Sequence, residues 1–572
     1  MATHTGLTPT TASLAFAVSF ALSTTLVYAA PSAQEAQSTG GAVFSTTKPA
    51  AVMPPKAEPV LNLPSDQRPP LRAPSALKVK VNAFRITGTQ AVSQAQLQAI
   101  IANYNGKELS LGNLEQAAAD ITTYYRSQGY MLARAYLPAQ DINNGTVEIA
   151  VLEGKLGQAS VNTAQAPQLN AAFAQKIIQN NQKTGVAVKE SDLERGLLLL
   201  NDLPGVTASA DLSPGANTGE TNLAVSARQD KRFGGSIEAD NYGNKYAGAN
   251  RIGATAYANN LSGYGDQLTA KAMTSDESLE YGRLAYSSAV GSDGLRLGLA
   301  QTHLRYKLGD KFKDLNASGT VDSTSAFALY PIVRSRNANL YVQGTLETKA
   351  IKDEVKTTGD RSDKTADIYG LGFNGDWRDD LGGGAVSTYG ATANNGDLKM
   401  DAPTTANDAM RTKGGYSKTN YNLSRLQTIT PNVSFYVGLN GQLASKNLDS
   451  SEKMSLGGPN GVRAYGTGEA AGDEGYIASA ELRYLVPGAH PFGAQGVQLT
   501  TFIDNGHITL QHTPFAGAKN ARELTGAGVG INLIDDKYTV RASYAWKANG
   551  SEAATSTPDN DGRAWLQGIV WF

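Results

Sequence analysis

Arg463 and Asp504 are the residues in this 572-residue chain whose types and setting point to a specific interaction. Arg463 lies in Gly457-Gly458-Pro459-Asn460-Gly461-Val462-Arg463-Ala464-Tyr465, a glycine-rich loop. Gly472-Asp473-Glu474-Gly475-Tyr476 follows and leads into the alternating segment Ile477 to Tyr484. Asp504 stands in Phe502-Ile503-Asp504-Asn505-Gly506, a strand end carrying a single acid. A guanidinium is a planar fork, and a carboxylate can accept two parallel hydrogen bonds from it. A cation on a long loop and an anion on a nearby strand predict a loop folded inward and latched to a wall. If the pair is buried, losing one partner strands a charge at a cost of ~3–5 kcal/mol. The alternative is an exposed loop arginine and an unrelated strand aspartate.

Other chemistry has no residues to rest on. The histidines are His4, His303, His490, His507 and His512, and no two are spaced to make a metal face. His507 and His512 would point to opposite faces of a continuous strand. There is no Gly-x-Ser-x-Gly elbow and no phosphate-cradling loop ending in Lys-Ser or Lys-Thr. The expectation is therefore no catalytic residue, no metal and no cofactor. Cysteine is absent, which removes disulfides and thiol chemistry. The 50 basic and 51 acidic side chains leave a net charge of -1, which argues against a nucleic-acid partner.

The elements around the pair fall into four stretches. The apolar run Leu14 to Ala30 reads as a secretory signal peptide over 1–29, with Val27-Tyr28-Ala29 offering small residues for cleavage, although no Lys or Arg precedes Lys48. Residues 30–77 hold nine prolines from Pro31 to Pro74 and few large hydrophobics, and read as an extended linker. Over 78–154 the pattern is strand, helix, helix, strand, strand, with helices at Gln94 to Tyr104 and Leu111 to Gln128 and strands at Tyr130 to Leu137 and Thr146 to Leu152. A looser copy occupies 155–228. A generic ferredoxin-like fold is the alternative for each copy.

From 229 to 572 the chain alternates apolar and polar residues in segments of about 8 to 11, such as Val433, Phe435, Val437 and Leu439. Polar glycine-rich stretches, Thr357 to Thr365 and Thr392 to Gly415, read as loops. No stretch after Ala30 approaches the ~20 apolar residues of a spanning helix, so a membrane crossing requires a closed barrel. At ~21 residues per strand and connection, this length gives roughly sixteen antiparallel strands. A soluble β-sandwich array is the alternative. The fold class expected is α+β repeats followed by an all-β transmembrane barrel. Ala564, Leu566, Gly568, Val570 and Phe572 alternate to the last residue, giving Phe572 an expected role in barrel assembly.

The repeats resemble POTRA domains at Phe84-Arg85-Ile86-Thr87-Gly88, Tyr125-Arg126-Ser127-Gln128-Gly129-Tyr130 and Val147 to Gly154. Val462-Arg463-Ala464-Tyr465 resembles the Val-Arg-Gly-Tyr signature of the BamA/TpsB superfamily, on the loop after the eleventh strand. Phe502-Ile503-Asp504-Asn505-Gly506 resembles its Phe-x-Asp-x-Gly signature on the thirteenth strand. Together they make the chain similar to two-partner secretion transporters of the TpsB type. The resemblance implies an outer-membrane location in a Gram-negative bacterium, POTRA domains in the periplasm and a large exported TpsA-type client. It also implies outer-membrane lipid, periplasmic chaperones and the barrel assembly machinery as partners. Val462, Arg463, Tyr465, Asp504 and Gly506 are the implied latch, and Phe84 to Leu152 the region for partner binding. A helix preceding the linker is implied as a pore plug. Ala464 stands where the family usually has Gly, and would be strained if that position needs a positive φ. A barrel assembly factor and a passive porin remain as rival readings.

Overall fold

The computed structural model describes residues 31–33, 36–39, 43, 60–62, 78–142, 144–514, 517, 519–548, 552 and 562–572, with only the backbone at 60–62. The signal peptide expected at 1–29 lies outside the described residues. Most of the stretch expected to be linker does too.

The chain enters with strand β1 (Val60–Asn62) and continues into β2 (Lys78–Lys80) and β3 (Ala83–Thr87). Ser93 caps the helix Gln94–Ile100 and Ser110 caps the helix Leu111–Ser127, each in a reciprocal capping box. Between the helices β4 (Glu108–Ser110) pairs with β2, and β5 (Arg134–Tyr136) and β6 (Thr146–Leu152) follow. The segment expected to be extended over Tyr130 to Leu137 is shorter, because Ala133 N donates to Tyr130 O and closes a turn first. In the sheet β3 runs parallel to β6 and β5 antiparallel to it. Leu97, Ile101, Ile121 and Ile149 form its fully buried core. Buried Glu153 accepts from Tyr125 Oη at 2.8 Å and from Gln90 N and Ala91 N at 2.7 Å. Burial and this carboxylate together push the Tyr125 hydroxyl up.

The second unit repeats that connectivity. It comprises β7 (Lys155–Gln165), the helices Ala171–Asn181 and Glu190–Asn201, β8 (Val206–Pro214) and β9 (Glu220–Gln229). Here β7 is parallel to β9 and β8 antiparallel to it, the same relation as in the first unit. One strand is added: β1 pairs in parallel with the outer edge of β8.

Sixteen antiparallel strands then close a barrel, from Phe233–Asp240 to Gly562–Trp571. The seam pairs Ser236 with Trp571 and Asp240 with Gln567, and Phe572 N and O both bond Gly235. In the fifth strand, Arg296–Lys307, the buried positions Ala300, Thr302, Leu304 and Tyr306 face inward while Leu297 and Leu299 face outward. Period two along the strand thus becomes lumen against lipid.

Of two expected loops, one is mostly strand and the other partly so. Asp360–Asp379 and Ala385–Met400 take in much of Thr357 to Thr365 and Thr392 to Gly415, leaving the connections 356–359 and 401–413 with the short helix Ala402–Ala406. The sixth to tenth strands run 16 to 20 residues, against the ~9–11 that span a bilayer. Beyond the lipid both faces meet water, so the residues turn polar while the strands go on pairing. Among the described residues no helix is long and apolar enough to cross a membrane.

The second unit is docked on the barrel turns at one end. Arg334 makes a forked pair with Asp202 at 2.8 and 2.7 Å, Asn170 N donates to Gly263 O at 3.0 Å, and Arg195 Nη2 donates to Pro331 O at 2.9 Å.

Candidate functional site: a latched loop in the barrel lumen

The loop between the eleventh strand (Val433–Ala444) and the twelfth (Glu474–Val486) turns inward instead of outward. Arg463 Nε and Nη2 donate to the two oxygens of Asp504, each at 2.8 Å. Asp504 is on the thirteenth strand, Gly496–Thr509, and is fully buried. Its carboxylate also accepts from Arg463 N at 3.2 Å and Ser479 Oγ at 2.9 Å. The remaining Arg463 nitrogen, Nη1, donates to Glu481 at 2.9 Å, and Glu481 accepts Arg483 Nε on its other oxygen at 2.8 Å. Phe502 lies flat beneath, with the guanidinium carbon 3.2 Å from its ring centroid. Two carboxylates, a ring face and a second cation hold one arginine in a fixed plane.

The loop sits so close because the wall offers glycines beneath it. Val462 and Leu456 lie over Gly506, Ala464 over Gly526, and Phe502 over Gly528. A Cβ at Gly526 would come within 2.5 Å of the Ala464 methyl. Ala464 is not among the residues with positive φ, so the strain that alanine would bring does not arise. The methyl fills a hole left by the wall. Trp565, on the last strand, donates its indole N–H to Arg463 O at 2.7 Å, and Tyr465 Oη reaches Glu552 O.

A second set of charges fixes the base of the loop. Glu452 pairs with Lys349 and with Lys418, while Asp449 pairs with Lys364 at 2.8 Å. Lys453 reaches both Asp473 and Leu510 O. Across from these lysines Thr467 donates to Tyr242 O and Asn244 donates to Thr467 O, so the loop reaches from the twelfth strand to the connection after the first. A cavity of about 410 Å3 remains beside it, lined among others by Arg251, Asn420, Gln442 and Pro459.

The structure brings together Val462, Arg463, Tyr465, Asp504 and Gly506. Phe572 lies apart at the seam, and Phe84 to Leu152 lie in the first N-terminal unit. Glu481 and Ser479 were not singled out from the sequence as site residues, although Ser479, Glu481 and Arg483 alternate with Leu482 and Tyr484, a pattern that places them inward. Helical residues early in the stretch expected to be linker also reach the lumen. Ala36 N donates to Ser32 O, and Ala33, Ala36 and Val43 join one buried apolar cluster with Tyr246, Leu304, Tyr306, Phe312, Val321 and Ile351. Leu304, Val321 and Ile351 are register partners across the fifth to seventh strands, so these turns cover the inner wall.

Residues 79–154 match the family described as POTRA domain, ShlB-type, and residues 219–533 the family described as Haemolysin secretion/activation protein ShlB/FhaC/HecB. The chain is 32% identical to the heme/hemopexin transporter protein HuxB of Haemophilus influenzae, over 80% of this chain and 81% of that protein. It is 23% identical to the outer membrane transporter CdiB of Dickeya dadantii, over 83% of this chain and 85% of that protein. Among solved structures, CdiB from Escherichia coli superposes with a TM-score of 0.72 at 18% identity, covering 87% of this chain and 91% of that one. With two repeats at the mouth of a sixteen-stranded barrel and this match over its length, the chain belongs to the ShlB/FhaC/HecB family of TpsB transporters, outer-membrane β-barrels whose POTRA domains sit in the periplasm.

Proposed function

We propose that this chain secretes one large exported protein of the TpsA type through its barrel, with no chemical step of its own. The observation that supports it best is the lumen, crossed by a latched loop and covered on one wall by Ala33, Ala36 and Val43, with the second POTRA unit docked on the barrel turns. A passive porin has no use for such closures, and a barrel assembly factor usually carries more POTRA repeats than the two this chain holds. The higher identity to a protein named for heme/hemopexin transport favours a client of haem acquisition over one resembling the CdiB partners. Transport needs no nucleotide in this reading, because folding of the client outside supplies the pull. Chaperones would deliver the client, and the assembly machinery and outer-membrane lipid would receive the barrel.

Mass spectrometry of culture medium from cells with and without this protein tests the reading. Loss of one large β-rich protein is the expected result; an unchanged medium, with the client expressed, would turn the assignment towards the assembly factor. Deleting residues 78–154 is expected to abolish client capture in a pull-down while the barrel still folds. Binding that survives the deletion counts against a role for Phe84 to Leu152. Removing Phe572, whose backbone closes the seam on Gly235, is expected to impair assembly, read as lost heat-modifiable migration. Unchanged migration would remove that role.

A further inference from the structure

Open sheet edges invite pairing, and both POTRA units close theirs with side chains. On β3, the carbonyls of Phe84 and Ile86 accept from Gln98 and Gln94. On β5, Ala135 N donates to Thr122, and beyond the end of β5 Gln140 exchanges two hydrogen bonds with Glu148 of β6. On β7, Gln175 takes Val161 N and gives to Ala159 O, while Leu156 pairs with Gly185 and Val186. On β8, Asn201 takes Ala208 N and gives to Ala208 O. Each amide imitates one residue of a neighbouring strand, and none of these covers can leave without its helix or turn moving.

The remainder of β8, Ser209–Pro214, is covered differently. Val60, Leu61 and Asn62 lie against Ser209, Ala210 and Asp211, in parallel. This cover comes from the linker, and it is short for a reason visible in the sequence: Pro59 and Pro64 bracket it. Proline has no N–H to add to a ladder, so β1 cannot lengthen along β8 beyond these bounds. Leu212, Ser213 and Pro214 lie past the register of β1. A longer extended segment laid on the same edge would make every pairing β1 makes and more.

We propose that the β8 edge from Ser209 to Pro214 is a docking site for an extended segment of the exported client, laid parallel to β8, and that Val60–Asn62 is a built-in occupant the client displaces. The inference rests on the transport reading above and adds to the binding expected of Phe84 to Leu152 a second contact, on the neighbouring unit, that capture also requires. Affinity comes from the main chain, which suits a client exported unfolded, and selectivity from the alternate side chains that face the sheet. The three-residue occupant keeps the edge from pairing with other extended chains until a longer one arrives. Its hold lowers client affinity by the fraction of molecules in which the edge is free.

The absence of cysteine makes the test direct. In V60C/S209C the two positions are register partners, within the Cα range a disulfide bridges. Formation of the bond is checked by mobility on a gel. The probe is a fluorescent peptide of residues 57–66, added to purified full-length protein. The oxidised variant is expected to bind it at least tenfold more weakly than the same sample after reduction, and Leu61→Pro, which loosens the occupant, several-fold more tightly than the unsubstituted chain. Equal binding by oxidised and reduced protein overturns the exchange, whatever the client is. In cells, oxidised V60C/S209C is expected to lower client in the medium at least tenfold, with recovery on adding reductant. Normal secretion by the locked protein overturns the client site. Loss of secretion by the unsubstituted chain's absence is read separately in the medium comparison above, so the two readings fail by different measurements.

Discussion

Arg463→Ala will stop secretion while the protein still reaches the outer membrane, and Asp504→Ala will do the same. The two losses differ in kind. Without the Arg463 side chain, Asp504 keeps only Ser479 and the main-chain N of residue 463 as donors, in a place with no solvent exposure. Without Asp504, the guanidinium retains Glu481 and the Phe502 face. Stranding a buried charge costs ~3–5 kcal/mol, so Arg463→Ala should free the loop more completely. Arg463→Lys keeps the charge but cannot satisfy Asp504 twice and Glu481 once in a single plane, and should fall between the alanine variant and the parent. The measurement is client in the medium, normalised to barrel in the outer membrane. Undiminished secretion by both alanine variants would remove the latch from the mechanism.

Deleting residues 31–43 should raise single-channel conductance several-fold in planar bilayers. These residues place Ala36 and Val43 on the inner wall at 1% exposure, and no covalent tie replaces them once removed. Val43→Asp offers a subtler form of the same experiment. Placing a carboxylate in the apolar cluster with Leu304, Val321 and Ile351 makes its burial unfavourable, so the segment should leave the wall. A conductance unchanged in both variants would mean that the loop alone closes the lumen. Secretion by the deletion variant reports separately on whether the segment is needed for transport.

How much of this was legible in the chain follows from what a periodic pattern can carry. Alternation at Val433 to Leu439 and the length after residue 229 led to sixteen strands, and Arg463 with Asp504 stood out as a cation and an anion in signature settings. Strand ends were not legible at 360–365 and 392–400, because above the lipid both faces are wet and alternation fades while pairing continues. Glu481 was visible as an inward position, yet lumens are full of charged residues and nothing in one dimension pairs it with Arg463. The amides that close the edges left no signal at all: Gln94, Gln98, Gln175 and Asn201 are ordinary polar residues on helices until the fold brings them to a strand. The strain feared at Ala464 was a question about φ, which only coordinates answer.

The methyl of Ala464 resting over Gly526 has a consequence for anyone exchanging parts between such transporters. Loop and wall share one volume, so neither is an independent module. A loop with glycine at this position would leave a void over Gly526, and this loop placed in a barrel with a side chain there would not seat at all. Chimeras should therefore be cut so that residues 457–465 travel with the fourteenth strand, Ala521–Ile534. The heritable unit of the closure is a pair of distant segments, inherited together or not usable.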